Sequence, residues 1–410
     1  MHTTRNAMHH QPHHRTSWKT RTLPISVLIL FLCLAGPPVS AQRQRTEVIG
    51  YFPSWKWAQG DHAMTPQTIP YGKLTFINYA FFVPLPDGRI EGKDTLGDAR
   101  YIRGDRNTGI VGTAHRHGVG VVLSIGGWED SGNFPAVAST AELRTAFAHS
   151  CLDAMRTYGF DGIDIDWEYP GYPGHGGSPA DRRNFTLLLQ TLRDSLHLAA
   201  PAIGRPPVLT AALPAGGAQA SGIDVRSIAG YLDYLNIMTY DFYGAWDPGM
   251  NHNSPLFPSA GADKARCVDA AFRYYRDSCG IPPGKINLGV PFYGRTYTMC
   301  RGLNQSHGGP DTVHFDPRGA VYSEIARKKN SFIRCWDTLA HVPYLIDSAW
   351  EVTVSYDDEE SVREKALYVL DHRAGGLIIW ELTGDMMDDG STPLLTVIDA
   401  TVNFGNSHHH

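Results

Sequence analysis

Eight short apolar runs, rich in β-branched residues, alternate along this chain with longer segments that have the spacing of amphipathic helices. Runs of this kind predict strands. The predicted strands are residues 47–55, 73–82, 118–128, 159–168, 207–215, 231–242, 286–294 and 375–382. The clearest helical segments are residues 141–158, 181–199, 262–278 and 361–373. This alternation favours the α/β class and, within it, a (β/α)8 TIM barrel.

One stretch interrupts the alternation. Between Arg295 and Tyr356, clusters of Gly, Pro and Asn are mixed with short apolar runs. We therefore expect a small α+β insertion after the seventh strand, over residues 296–355, within a barrel domain that covers residues 42–405. A doubly wound open sheet is the alternative architecture, but no predicted strand is followed by a GxGxxG or GxxxxGK[ST] loop.

The first 41 residues have the composition of an export signal. They carry four basic residues, no acidic residue, a short apolar run at residues 25–35, and small residues up to Ala41. This order is typical of a secretory signal peptide, here cleaved after Ala41. The apolar run is too short to span a bilayer comfortably, although an uncleaved anchor is the alternative. We expect a secreted protein, extracellular or periplasmic if bacterial, without membrane attachment after cleavage.

The charge balance disfavours two classes of partner. The full chain has a net charge of −5, and loss of the four basic leader residues takes the mature chain to −9. An acidic surface disfavours nucleic acid and anionic membranes, whereas it is compatible with a neutral polysaccharide. We expect the mature protein to be a monomer.

The cysteines do not indicate a metal site. One of the six, Cys33, lies in the leader, and the odd number that remains leaves at least one thiol unpaired even after export. Cys151 is expected to be a buried free thiol, and Cys300 with Cys335 is a candidate bridge, although the sequence leaves the pairing open. There is no CxxC motif, and the His-rich stretches lie at the chain ends. We therefore expect neither a metal nor a cofactor.

The strongest chemical signal is the segment DGIDIDWEYP at residues 161–170. Side chains alternate faces along a strand, so Asp164, Asp166 and Glu168 share one face and the apolar residues between them share the other. In a parallel barrel the apolar face packs on helices. The acids then point inward near the carboxyl-terminal mouth, where such barrels carry active sites. Asp161 falls outside this register, and we expect it to be structural.

Three carboxylates about 6–7 Å apart along one face repel one another. At least one pKa should therefore be raised enough to leave a proton available near neutral pH. A protonated acid beside ionised ones is the combination that glycosidic cleavage requires. A solvated acidic strand or a metal site is the alternative interpretation, but apolar residues flank every acid and no histidine is adjacent.

These residues also carry a family resemblance. The sequence resembles glycoside hydrolase family 18, the chitinase family, whose DxxDxDxE signature lies at the end of the fourth strand and is complete here. Four further motifs match in order: SIGGW at 124–128, MTYD at 238–241, GVPFYGR at 289–295 and GGLIIWE at 375–381. The stretch 295–358 is similar to the chitinase insertion domain. The resemblance covers essentially the whole mature chain.

The resemblance implies a retaining, substrate-assisted hydrolysis of chitin or chito-oligosaccharides, which are β-1,4-linked N-acetylglucosamine chains. It implies that Glu168 protonates the leaving oxygen while the substrate's acetamide oxygen attacks the anomeric carbon, giving an oxazolinium ion. Asp166 would hold the acetamide N–H, and Asp164 would share a proton with Asp166. Tyr240 would hold the acetamide oxygen, and Asp241 would contact the sugar at the cleavage site.

The same resemblance implies the residues that line the substrate cleft. Trp380 would form the floor beneath the sugar at the cleavage site, since an aromatic face matches the apolar face of a pyranose. The other substrate-binding residues that the motifs imply are Tyr51, Phe81, Gly126, Gly127, Trp128, Tyr169, Met238, Tyr293 and Arg295.

Other functions are compatible with the acid motif. An endo-β-N-acetylglucosaminidase that acts on N-glycan cores shares it, and so does a peptidoglycan hydrolase, although no LysM-like repeat is found here. A catalytically inactive chitin-binding lectin can share the barrel, but such lectins usually lack the last glutamate or an acid before it. Because Asp164, Asp166 and Glu168 are all present, the expected function is a secreted chitinase.

Overall fold

The computed structural model describes residues 45–58, 64–102, 108–203, 206–347, 349 and 351–407. The expected signal peptide, residues 1–41, lies outside the described residues. Among the helices of the described ranges, none is long and apolar enough to cross a membrane.

Two sheets organise the described chain, one parallel and closed, the other antiparallel. In chain order the strands are β1 (Glu47–Pro53), β2 (Phe76–Pro84), β3 (Ile90–Gly92), β4 (Gly120–Gly126), β5 (Gly162–Asp166), β6 (Val208–Pro214), β7 (Tyr234–Met238), β8 (Ile286–Pro291), β9 (Tyr293–Thr298), β10 (Ala320–Val321), β11 (Ile333–Asp337), β12 (Val342–Asp347), β13 (Val352–Ser355) and β14 (Gly376–Trp380). The parallel order β1-β14-β8-β7-β6-β5-β4-β2 closes through β1 and β2, and β3 extends β2 antiparallel. Each predicted strand overlaps one barrel strand, although β2 extends two residues beyond the predicted 73–82, so the predicted (β/α)8 barrel is confirmed.

Helices of the described ranges lie between the strands, except for α11, which follows the last barrel strand. They are α1 (Thr95–Tyr101), α2 (Ile110–Arg116), α3 (Phe134–Ser139), α4 (Ala141–Tyr158), α5 (Asp181–Ile203), α6 (Gly217–Ser221), α7 (Val225–Ile228), α8 (Val268–Arg273), α9 (Tyr322–Lys328), α10 (Glu359–Asp371) and α11 (Pro393–Ser407). Helix α4 has the predicted bounds because the Thr140 side chain caps its first turn and Gly159 ends it in the left-handed conformation, φ 84°.

Helix α8 is shorter than the predicted helix 262–278. It begins at Val268 and continues into a single π turn, Tyr274–Ser278. The preceding residues are held in a loop, because Arg266 pairs with Asp247 at 2.8 Å and the Cys267 side chain accepts a hydrogen bond from the Ala270 N–H. These side-chain contacts replace the first helical turns that the sequence spacing predicts.

Strand β5 carries the acidic segment with the predicted alternation of faces. Ile163, Ile165 and Trp167 are buried on the outside, where the Trp167 ring stacks on Phe134 of α3 at 5.3 Å and meets Phe185 of α5 at 5.5 Å. The strand ends at Asp166, two residues earlier than predicted. Glu168 therefore lies in the loop that follows β5, beyond the hydrogen-bond ladder.

The predicted insertion after the seventh barrel strand forms the antiparallel sheet. Its strand order is β10-β9-β13-β12-β11, and α9 lies in the same segment. Strand β9 begins at Tyr293, three residues before the predicted start of the insertion. Tyr293 and Arg295 are therefore on the first strand of the insertion, directly after the barrel strand β8.

The cysteine predictions have mixed outcomes. Cys151 is a buried free thiol on α4, as expected. The candidate bridge between Cys300 and Cys335 is wrong, because both are free thiols in the structure. The Cys300 Sγ instead lies 3.3 Å from the Gly302 carbonyl oxygen.

Candidate active site

Asp164 lies inside the barrel and is fully buried. Its carboxylate accepts hydrogen bonds from Tyr51 Oη at 2.9 Å and Ser124 Oγ at 2.7 Å. It also accepts them from Thr210 Oγ1 at 2.5 Å and Asn236 Nδ2 at 3.2 Å. Burial raises the pKa of Asp164, while these donors lower it. Of the three acids, this carboxylate is the one best able to carry a negative charge, because four donors replace its water.

Asp166 is the next acid along β5, and its surroundings are different. It is 4% exposed, and its Oδ1 has no hydrogen-bond partner in the described part of the chain. Burial raises the pKa of Asp166 well above its usual range, and the charges of Glu168 and Asp164 raise it further. Asp166 therefore offers a free oxygen acceptor, and the charges of the neighbouring acids influence its titration.

Glu168 has the titration behaviour of a general acid. Burial raises the pKa of Glu168 to about 7, and the Asp241 charge raises it, whereas hydrogen bonds from the Tyr169 hydroxyl and the Trp128 N–H lower it. A carboxyl group with this pKa holds a proton on about half of the molecules at pH 7. It can therefore donate a proton and take one back.

The MTYD motif begins at Met238, the last residue of β7, and brings Tyr240 and Asp241 to the same mouth. Asp241 has a positive φ of 56°, and its N–H donates to Asn253 Oδ1 at 3.0 Å. Its Oδ1 accepts hydrogen bonds from Arg295 Nη2 at 2.6 Å and Tyr293 Oη at 2.8 Å. Burial raises the pKa of Tyr240 well above its usual range, so its hydroxyl stays protonated and can donate.

An aromatic cluster forms at the ends of β14, β1 and β2. The Phe81 ring stacks on Trp380 at 5.6 Å with an interplanar angle of 18°, and the Tyr51 ring lies 5.6 Å from Trp380. Trp55, 44% exposed, joins them at 5.9 Å from Phe81 and 6.4 Å from Trp380. Trp55 is not among the predicted site residues. Its position just after the first strand, where barrel sites lie, was the available signal.

A second aromatic cluster lies at the ends of β4 and β5. The Trp128 ring is 48% exposed and lies 6.4 Å from Tyr169, which also contacts Glu168. Tyr172, at 5.6 Å, and His175, at 4.8 Å, also pack against Trp128. Neither Tyr172 nor His175 was predicted, because both lie in a loop with no recognisable motif.

Gly126 and Gly127 allow the chain after β4 to approach its neighbours. Both have positive φ, 112° and 84°. A Cβ atom on Gly126 would lie 2.2 Å from the Asp166 carbonyl oxygen, and one on Gly127 would lie 2.5 Å from the Phe81 ring. The absence of a side chain at these two positions therefore lets the chain after β4 pass directly against Asp166 and Phe81.

A cavity of about 410 Å³ opens beside the general acid candidate, a volume typical of ligand sites. Among its lining residues are Glu168, Tyr169, Met238, Tyr240, Asp241, Trp246, Asp263 and Arg266. Trp246 is 61% exposed, and the Arg295 guanidinium lies 5.0 Å from its ring centre. Trp246, Asp263 and Arg266, which come from the long loop between β7 and α8, are not among the predicted site residues.

All the predicted site residues thus meet at one end of the barrel. They come from the ends of β1, β2, β4, β5, β7 and β14 and from β9. No group of three or more His, Cys, Asp or Glu side chains in the described ranges is arranged to hold a metal ion. The site can deliver a proton from Glu168 beside a free carboxylate oxygen, between aromatic surfaces.

Comparison with known proteins gives the family. A family model described as glycosyl hydrolases family 18 matches residues 47–385. Chitinase A1 of Niallia circulans is 33% identical over 421 aligned positions, which cover 89% of this chain and 60% of that protein, so this chain spans less than two thirds of that relative.

Two solved structures are similar in fold and sequence. A chitinase from Bacillus thuringiensis has a TM-score of 0.79 and 30% identity, covering 88% of this chain and 70% of that one. A family 18 N-acetylglucosaminidase from Paenibacillus barengoltzii has a TM-score of 0.74 and 31% identity, covering 87% of this chain and 100% of that one. The chain belongs to family 18 of the glycosyl hydrolases.

Proposed function

We propose that this protein is a secreted chitinase that hydrolyses β-1,4-linked N-acetylglucosamine chains with retention of configuration, using Glu168 as general acid and then base. One observation carries the proposal. Glu168, with a pKa of about 7, stands two residues after Asp166, whose Oδ1 is buried and has no partner among the described residues. Relatives named as chitinases support the substrate class.

The first step breaks the glycosidic bond. Glu168 donates its proton to the leaving oxygen, and the carbonyl oxygen of the substrate's acetamide attacks the anomeric carbon from the opposite face. The bond to the leaving sugar breaks as the bond to the acetamide oxygen forms, which gives a cyclic oxazolinium ion. The Tyr169 hydroxyl and the Trp128 N–H, which bind the Glu168 carboxyl group, orient the proton and stabilise the carboxylate that it leaves.

The buried aspartates stabilise the cation that forms. Asp166 accepts the acetamide N–H with its free Oδ1, and the Asp164–Asp166 pair, which shares one proton, supplies one negative charge beside the oxazolinium ring. The Tyr240 hydroxyl donates to the acetamide oxygen and aligns it for attack. Four donors to the Asp164 carboxyl group offset part of the rise in its pKa that burial causes, so the pair can carry this charge before the substrate arrives.

The second step releases the product. Water attacks the anomeric carbon on the face that the leaving sugar has vacated, and the Glu168 carboxylate takes up its proton. The oxazolinium ring opens to restore the acetamide. Two inversions at one carbon give net retention.

Trp380 and Phe81 form an apolar surface for the sugar faces, and Asp241, held by Arg295, contacts the sugar hydroxyls.

A substrate panel tests this function. We expect the purified protein to hydrolyse chitohexaose and to leave intact an N-glycan core glycopeptide and a peptidoglycan fragment, with products measured by mass spectrometry. Proton NMR of the fresh products should show the β-anomer first. Binding of chitohexaose without turnover would identify a lectin instead, and cleavage of the glycopeptide alone would identify an endo-β-N-acetylglucosaminidase.

The pH dependence of the reaction follows from the state of Glu168. Because the proton on Glu168 is required and its pKa is about 7, kcat/KM should fall as the pH rises through 7. Well above this pH the fall should approach about tenfold per pH unit. The measurement is kcat/KM for chitotetraose between pH 5 and 9. A rate that rises from pH 7 to 9 would contradict the assignment, since Glu168 would then react in its ionised form.

A further inference from the structure

The loop after β5 carries a histidine that none of the family motifs includes. The loop is fixed at both ends by the buried Asp181, whose Oδ2 accepts the Gly171 N–H at 3.0 Å and the Ser178 N–H at 2.9 Å. Between them lies a short 3-10 turn, Pro173–His175. The two hydrogen bonds to Asp181 thus anchor the loop that carries His175.

The His175 ring contacts the backbone of the general acid candidate. Its Nδ1 lies 2.6 Å from the Glu168 carbonyl oxygen. Because a carbonyl oxygen only accepts hydrogen bonds, Nδ1 must carry the proton. The same ring packs against Trp128 at 4.8 Å and Tyr172 at 5.2 Å. His175 is thus held by aromatic contacts while it donates to the backbone of Glu168.

The position of Glu168 depends on such contacts. It lies beyond the last residue of β5, so the strand ladder does not hold its backbone. Its N–H donates to Ser131 Oγ at 2.8 Å, and its carbonyl accepts from His175. Side chains of two different loops therefore hold the peptide groups on both sides of the Glu168 Cα atom. An acid displaced by about 1 Å can lose up to about a hundredfold in rate.

We propose that His175 is a positioning residue for the general acid: its Nδ1–H fixes the Glu168 backbone and thereby aims the carboxyl proton at the leaving oxygen. The proposal rests on the proposed glycosidase function. His175 does not touch the substrate's reacting atoms in this role, and Ser131 secures the other side of the same residue.

The test compares two leaving groups. A sugar hydroxyl is a poor leaving group and needs protonation, whereas a nitrophenolate leaves with little acid assistance. We expect His175→Ala to lower kcat for chitotetraose about tenfold but kcat for a nitrophenyl chitobioside less than about twofold. His175→Asn, whose amide N–H can replace Nδ1–H, should recover most of the loss. His175→Gln, whose amide lies one carbon farther out, should not.

His372 provides a matched control, because its ring also donates to a backbone carbonyl and packs against an aromatic side chain. His372 Nδ1 donates to the Tyr368 carbonyl at 3.0 Å and stacks on that ring at 3.9 Å, at the end of α10. His372→Ala should change kcat for neither substrate. If the alanine variant of His175 does not fold, the comparison of the asparagine and glutamine variants decides.

The possible results distinguish a failure of the positioning role of His175 from a failure of the proposed glycosidase function. Equal losses on both substrates, or asparagine and glutamine variants of equal activity, would overturn the positioning role and leave a structural one. A wild-type protein without activity on either substrate would overturn the glycosidase function, and the positioning role with it. A loss confined to chitotetraose, recovered by His175→Asn, is the expected result.

Discussion

Replacing Glu168 with glutamine is expected to lower kcat for chito-oligosaccharides by at least about a hundredfold, because the amide has the shape of the acid but no proton to donate. Binding should persist. The glutamine can keep the contacts of Glu168 with Tyr169 and Trp128, so the Kd for chitotetraose should change by less than about threefold. Steady-state kinetics and isothermal titration calorimetry measure the two quantities.

The same variant should also gain stability at alkaline pH. The folded protein raises the pKa of Glu168 from 4.5 to about 7. The contribution of Glu168 to the free energy of unfolding is therefore fully present below pH 4.5 and is lost as the pH rises through 7. Glutamine stays neutral, so at pH 8 the variant should have a higher Tm than the wild type. The matched control is Glu129→Gln, at an exposed position beside Trp128. This substitution should change neither kcat nor the Tm. Full activity of Glu168→Gln would show that another group supplies the proton.

Asp166→Asn is expected to lower kcat about a hundredfold with little change in KM. The asparagine oxygen can still accept the acetamide N–H, so the ground-state contact persists. The amide can neither pass a proton to Asp164 nor take on negative charge beside the oxazolinium cation, and the expected loss has the size found when one electrostatic stabiliser is removed. Kinetics with chitotetraose check this result. A loss that appears only in KM would instead indicate a binding role for Asp166.

The same substitution at Asp161 is the control. Asp161 is 4% exposed, accepts the Val121 N–H at 2.6 Å and lies 2.8 Å from His115 Nε2. These contacts join β4, β5 and α2 below the site, so Asp161→Asn should lower the Tm and change kcat by less than about threefold. Asp166→Asn should therefore lower mainly the activity, and Asp161→Asn mainly the stability. This contrast would distinguish the catalytic aspartate from the structural one.

Local pattern was sufficient to predict the barrel. Each barrel strand is a short apolar run, and burial on both faces requires this composition whatever its neighbours are. The alternation along β5 also predicted which side chains point inward, since Trp167 packs between α3 and α5 as expected. The end of β5 and the start of α8 were not predictable, because side-chain contacts between residues well separated along the chain decide them: Ser131 with Glu168 and Arg266 with Asp247.

The aromatic surfaces were predicted only in part. The residues within recognisable motifs, such as Trp128 and Trp380, were found. Trp55, Trp246 and His175 were not, because they lie in loops whose residue spacing carries no periodic signal. Their proximity to the acids arises because the carboxyl ends of parallel strands meet at one mouth, which brings together loops distant in the sequence.

The sequence by itself determined the fold class, the family and the identity of the three acids, because these depend on residue type and short-range spacing. Only the tertiary structure decided how the acids differ. The donors to Asp164 come from β1, β4, β6 and β7, at sequence separations of 40 to 113 residues. Asp166 has no such donors for its Oδ1, and burial brings the pKa of Glu168 to about 7. A pKa depends on burial and on charges and donors nearby in space, and no spacing along the chain records these.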